Sequence, residues 1–125
     1  MRHKRYDCNP GCPIEACLKV IGGKWKAIIL HHLFDGTKRF GELSRLMPAI
    51  SQRMLTTQLR ELTEDDVITR TVYAEVPPRV EYTLTKFGCS LEPIMRPMQT
   101  WGIAYLHRLQ TAQNGKAVAV PSRTS

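Results

Sequence analysis

Arg53 and Arg60 stand seven positions apart, and Thr56 and Thr57 lie between them. At helical spacing all four fall on one face. An arginine presented this way can read a guanine edge with two hydrogen bonds, or clamp a phosphate. A threonine offers a hydroxyl to phosphate and a methyl to a thymine edge. Ser51 and Gln52 come just before, at the expected helix N-terminus, where unpaired backbone N–H groups favour a phosphate. Arg79 stands beside Pro77-Pro78 and could enter a minor groove or touch a nucleic-acid backbone. An ordinary solvated helix face would carry similar residues, so the chemistry depends on what surrounds the segment.

The surroundings fit a DNA-reading element. Leu55, Leu59 and Leu62 repeat on the opposite face of Ser51–Asp65, giving one buried side and one outward side. Ser51 is the expected N-cap. Phe40, Leu43, Leu46 and Met47 mark a short helix before it, closed by Pro48. Two helices joined by so short a turn form a helix-turn-helix. After it, Ile68–Val76 is rich in β-branched residues, and Val80, Tyr82 and Leu84 alternate with Arg79, Glu81 and Thr83. Pro77-Pro78 excludes a tight two-residue turn between these strands, so a wide tip should project as a wing.

Further helices flank this unit. Pro13 suits a first helical position, and Ile14, Cys17, Leu18 and Ile21 form its apolar face up to Gly22-Gly23. A second helix is expected over Lys24–Phe34, with Trp25, Ile28, Ile29, His32 and Leu33 inward. Thr85 can cap a last helix, in which Phe87, Leu91, Ile94, Met95, Met98, Trp101, Tyr105 and Leu109 keep phase to about Gln110. Pro93 and Pro97 predict a kink or restart there. The fold class is therefore mainly α with a small β-hairpin, a winged helix-turn-helix with flanking helices. Residues 1–11 read as a flexible basic arm, 12–110 as the domain, and 111–125 as a flexible tail.

The bulk composition agrees. The chain has 125 residues, enough for one domain, and 42% are hydrophobic, enough for a thin core. A net charge of +7 fits a phosphate-rich partner. No apolar run reaches the roughly 20 residues a bilayer-spanning helix needs, and no apolar segment follows the basic start. A cytosolic location is expected, and with it no structural disulfide framework among Cys8, Cys12, Cys17 and Cys89. No helix pairs a wide lysine face with a wide apolar one, which argues against a membrane-surface role.

Cys12 directly precedes Pro13, so it should sit at a helix N-cap, facing the positive end of the macrodipole. Such a setting, with a basic arm beside it, favours reactivity toward oxidants or electrophiles. Cys8 in the arm could reach Cys12 or another chain. Cys17 falls on the apolar face and is expected in the core. Zinc is an alternative use of His3, Cys8, Cys12 and Cys17, but their spacing makes no clean knuckle. His31 and His32 are adjacent and cannot form an i, i+4 metal pair. No P-loop, dinucleotide fingerprint or nucleophile elbow occurs, and no cofactor is expected. A non-enzymatic regulator is expected, and a winged-helix protein-interaction adaptor is the alternative.

The segments Cys12–Ala16 (CPIEA), Val20–Lys26 (VIGGKWK), Leu30–Gly36, Arg39–Leu43 (RFGEL), Ile50–Thr56 (ISQRMLT), Leu59–Leu62 (LREL) and Tyr73–Leu84 (YAEVPPRVEYTL) carry a family resemblance. In combination they resemble the HxlR-type winged helix-turn-helix regulators of bacteria over residues 12–102. The resemblance implies a homodimeric transcription factor that binds inverted-repeat operators in double-stranded DNA, dimerising through its first and last helices. Arg39, at the head of its motif, joins the DNA-binding candidates. In part of the family the cysteine matching Cys12 senses quinones, aldehydes or hypochlorite; other members sense differently. The chain departs from the usual pattern by its extra thiols Cys8 and Cys17, which leave any disulfide partner open, and by Pro97 in the last helix.

Overall fold

The computed structural model describes residues 12–114. The expected basic arm, Cys8 and His3 lie outside these residues, as does the tail beyond Asn114. Six helices and three strands follow in the order α1 (Pro13–Ile21), α2 (Lys26–Leu33), β1 (Lys38–Arg39), α3 (Phe40–Leu46), α4 (Gln52–Glu64), β2 (Ile68–Tyr73), β3 (Arg79–Leu84), α5 (Lys86–Cys89) and α6 (Glu92–Asn114). They divide into two compact units, one ending at Glu92 and one beginning at Pro93.

In the first unit the core gathers one apolar face from each element. Ile29, Leu30 and Leu33 come from α2, Leu43 from α3, Leu55, Leu59 and Leu62 from α4, and Val67, Ile68 and Tyr82 from the sheet and its entry. Non-directional burial of these side chains sets which face of each helix turns inward. The strands form one antiparallel sheet in the order β1-β3-β2, with Arg70 opposite Tyr82 and Arg39 opposite Glu81. The two-residue β1 was not expected. It covers an edge of β3 that the hairpin alone would leave open, and Thr37 Oγ1 meets Thr83 Oγ1 at 2.7 Å beside it.

The joint between α4 and the wing is stitched by Thr85. Its hydroxyl accepts from the Gly88 N–H at 2.9 Å, capping α5, and donates to the Asp66 carbonyl at 2.7 Å. Its own N–H donates to the Val67 carbonyl at 3.0 Å. Gly88 lies so close to that carbonyl that a Cβ would overlap it, which explains a glycine inside a helix. Between α1 and α2, Gly23 takes φ +80°, a turn conformation that side chains disfavour.

Several expectations need correction. Helix α2 is two residues shorter at its start and one at its end than Lys24–Phe34. Leu30 and Lys26 are buried, while Ile28 is exposed and Trp25 and His32 are half-buried. This helix is apolar nearly all round, so periodicity alone could not choose its inner face. On α1 only Ile21 is buried; Ile14 is 73% and Leu18 56% exposed, and Cys17 is half-buried rather than in the core. The single last helix becomes two, α5 and α6, with the restart expected near Pro93. Helix α6 continues through Pro97, whose missing N–H leaves the Pro93 carbonyl without its helical donor. It is helical to Asn114, the last described residue, so residues 111–114 are helix rather than tail.

On α2 the rings of His31 and His32 lie 5.3 Å apart. Burial holds the His32 pKa below the ordinary 6.5, and repulsion from His31 and Lys38 adds to this against the pull of Asp35. The folded chain therefore keeps His32 neutral where the unfolded chain takes up a proton. Stability from this source is present above 6.5 and is lost as pH falls through the lower folded value. Unfolding midpoints measured from about pH 7 to about pH 5 should fall, and His32→Gln should flatten that fall. An unchanged slope in the variant would assign the loss to other groups.

Candidate nucleic-acid interface

Helix α4 is positioned at both ends and along one side. Ser51 caps it, its hydroxyl accepting from the Met54 N–H at 3.0 Å, so the expected N-cap is observed. Before it, the turn from α3 is held by buried Met47 and Ile50, with the Ile50 N–H donating to the Met47 carbonyl at 3.1 Å. Leu55, Leu59 and Leu62 are sealed against the core. At about 100° per residue these leucines centre on the side of the helix away from Arg53 and Arg60.

The outward face matches the expected one closely. Ser51, Gln52, Arg53, Thr56 and Arg60 are exposed, and Thr57 is half-buried at its margin. Among the described residues no ion pair ties up Arg53 or Arg60. Their Cα atoms are separated by about 10 Å along the axis, close to three base-pair steps of a duplex.

A third arginine joins this face from the sheet. Arg70 on β2 is exposed and lines a cleft of about 320 Å³ with Arg60, Thr56, Thr63, Glu64 and Tyr82. The residues alone gave no sign of this. Arg70 and Arg60 line one cleft because β2 returns beside α4, a consequence of tertiary packing.

Arg39 and Arg79 behave differently from each other. Arg39 is exposed at the head of α3, where its backbone N–H donates to Glu42 Oε1 at 2.7 Å. It borders a cleft of about 350 Å³ whose far wall is the wing tip, Glu75–Val80. Arg79 was expected to reach outward from that tip. Instead its guanidinium is held 3.1 Å from Glu75 and 3.6 Å from Glu81, and 4.0 Å above the Tyr73 ring. These contacts offset its charge and brace the tip, so the exposed cations of this surface are Arg39, Arg53, Arg60 and Arg70.

The described thiols are unbonded. Cys12 is half-buried at the N-cap of α1, with no side-chain hydrogen bond there, and its carbonyl accepts from the Ala16 N–H at 3.2 Å. Among the described residues no cluster of three His, Cys, Asp or Glu side chains is arranged to hold a metal ion. None of the described helices is long and apolar enough to cross a membrane.

Comparison with known proteins agrees with this geometry. The model of the HxlR-like helix-turn-helix family matches residues 20–110. The HTH-type transcriptional regulator YdeP of Bacillus subtilis is 59% identical over 103 residues, spanning 82% of this chain and 80% of YdeP. The regulator YodB of the same organism is 40% identical over 94 residues, 74% of this chain and 84% of YodB. The solved structure of the redox regulator HypR in its reduced form superimposes with a TM-score of 0.76 at 53% identity, covering 80% of this chain and 99% of that one. Its oxidised form gives 0.72 at 57% identity, covering 74% and 96%. The chain thus belongs to the HxlR-like helix-turn-helix family and is a DNA-binding transcriptional regulator rather than an enzyme.

Proposed function

We propose that this regulator acts as a cytoplasmic homodimer that binds an inverted-repeat operator, with α4 of each protomer in a major groove. The observation that carries the reading is the pair of exposed guanidiniums, Arg53 and Arg60, on a helix whose other side is sealed into the core. Thr56 and Thr57 flank them for base edges or phosphate, and Ser51 and Gln52 bring the N-terminus of α4 against the backbone. Arg39 and Arg70 add phosphate contacts on either side. Arg79 contributes by bracing the wing tip, and reaches DNA only by releasing its carboxylates.

Dimerisation is supported by apolar surface that water disfavours. Helix α1 exposes Ile14 and Leu18, and α6 exposes Trp101 at 68% and Leu106 at 65%. Exposed apolar residues in such number mark an interaction surface. A two-fold dimer would address half-sites about 34–36 Å apart, one helical turn. Operators selected from genomic fragments should therefore be inverted repeats. Arg53→Ala should cost about 1–3 kcal/mol of operator binding and relax preference at one base pair in each half-site, measured by titrating systematically substituted duplexes. A uniform loss across all sequences would assign Arg53 to phosphate instead.

A second reading adds a thiol switch at Cys12. Its half-buried position at the head of α1 supports this, as do the HypR structures in oxidised and reduced forms. An oxidant or electrophile that modified Cys12, or joined it to Cys8 or to a second chain, would shift α1 and with it the spacing of the two α4 helices. Diamide should change operator affinity in the wild type and leave Cys12→Ser unaffected. An equal response in both would make this a family member that senses by another route.

A further inference from the structure

Lys26 is the one charged side chain buried among the described residues, at 6% exposure. Two local rules oppose it. It opens α2, where the positive end of the macrodipole disfavours a cation. It also lies on the inner face of an otherwise apolar helix, where an unpaired ammonium is costly. The compensation visible in the structure is the Glu61 carboxylate on α4, 2.7 Å from Lys26 Nζ. The pair is buried at Lys26 and partly open at Glu61, whose side chain is 31% exposed, and such a pair contributes little net stability compared with well-packed apolar residues of similar size. Its distinctive property is direction.

Direction matters because of where Glu61 sits. It follows Arg60 immediately and projects between the leucine side and the arginine side of α4. Leucine packing is non-directional and tolerates small rotations of the helix about its own axis. A rotation of about 20° would move a side-chain end about 6 Å from that axis by about 2 Å. Such a shift destroys bidentate hydrogen bonds to a base while leaving attraction to phosphate largely intact.

We propose that the Lys26–Glu61 ion pair locks the rotational setting of α4, making both side chains positioning residues for base discrimination rather than sources of affinity. The proposal rests on α4 lying in the major groove. Its test compares dissociation constants for a selected operator duplex and a shuffled duplex of equal length at one salt concentration. The proteins are wild type, Lys26→Met, Lys26→Arg and the double variant Lys26→Met/Glu61→Leu.

The ratio of the two constants should fall by about tenfold or more in Lys26→Met and in the double variant. Shuffled-duplex affinity should stay close to wild type, because phosphate contacts carry it. Lys26→Arg should keep the ratio. The double variant should unfold no more easily than wild type, since apolar packing replaces the pair. Partial unfolding would raise both constants by one factor and leave the ratio readable, and the all-apolar double variant guards against loss of fold in Lys26→Met. A double variant that discriminates as well as wild type overturns the proposal. A wild-type protein that fails to discriminate overturns the major-groove reading itself, and does so before any substitution is made.

Discussion

The anchoring of α4 by Leu55, Leu59 and Leu62 is the constraint on which the rest of the molecule depends. With those side chains sealed in, the leucine side of the helix turns inward, and its outward face carries Arg53, Thr56 and Arg60. A DNA-reading surface needs both features: a fixed support and side chains that have not spent their hydrogen-bonding capacity within the protein. Arg53 and Arg60 meet the second condition and Arg79 does not, because Glu75, Glu81 and Tyr73 already engage it.

The elements around α4 serve to hold that face in place. The short α3 and the capped turn at Ser51 fix its start. At its other end Thr85 ties the Asp66–Val67 bend to α5 through three hydrogen bonds, so the wing leaves α4 at a set angle. The tertiary ion pair from Lys26 adds a directional contact to the non-directional packing of the leucines. The result is a helix held at both ends and along one side, with its arginine face left open to solvent.

Much of this was legible in the residues because local signals agreed with tertiary ones. The α4 helix carried a cap, a leucine stripe and a polar stripe in phase, and the wing carried strand alternation broken by Pro77-Pro78. Other features were not legible, for reasons that are physical. A two-residue strand such as β1 has no periodicity to detect. Helix α2 is apolar nearly all round, which hid the burial of Leu30, and the burial of Lys26 depends on a partner carboxylate on another helix. Cys17 and Leu18 repeat like core residues, yet their face of α1 stays partly open. The pairing of Arg79 and the approach of Arg70 to Arg60 arise from strand register and chain return, which no short window of sequence contains.

Protection of guanine N7 from methylation by dimethyl sulfate, on a selected operator with the full chain bound, tests the placement of α4 most directly. N7 lies in the major groove, where a bidentate arginine would cover it. The account predicts two protected patches centred about one helical turn apart, with the patch reduced in Arg53→Ala. Tight binding with every N7 still reactive would contradict it.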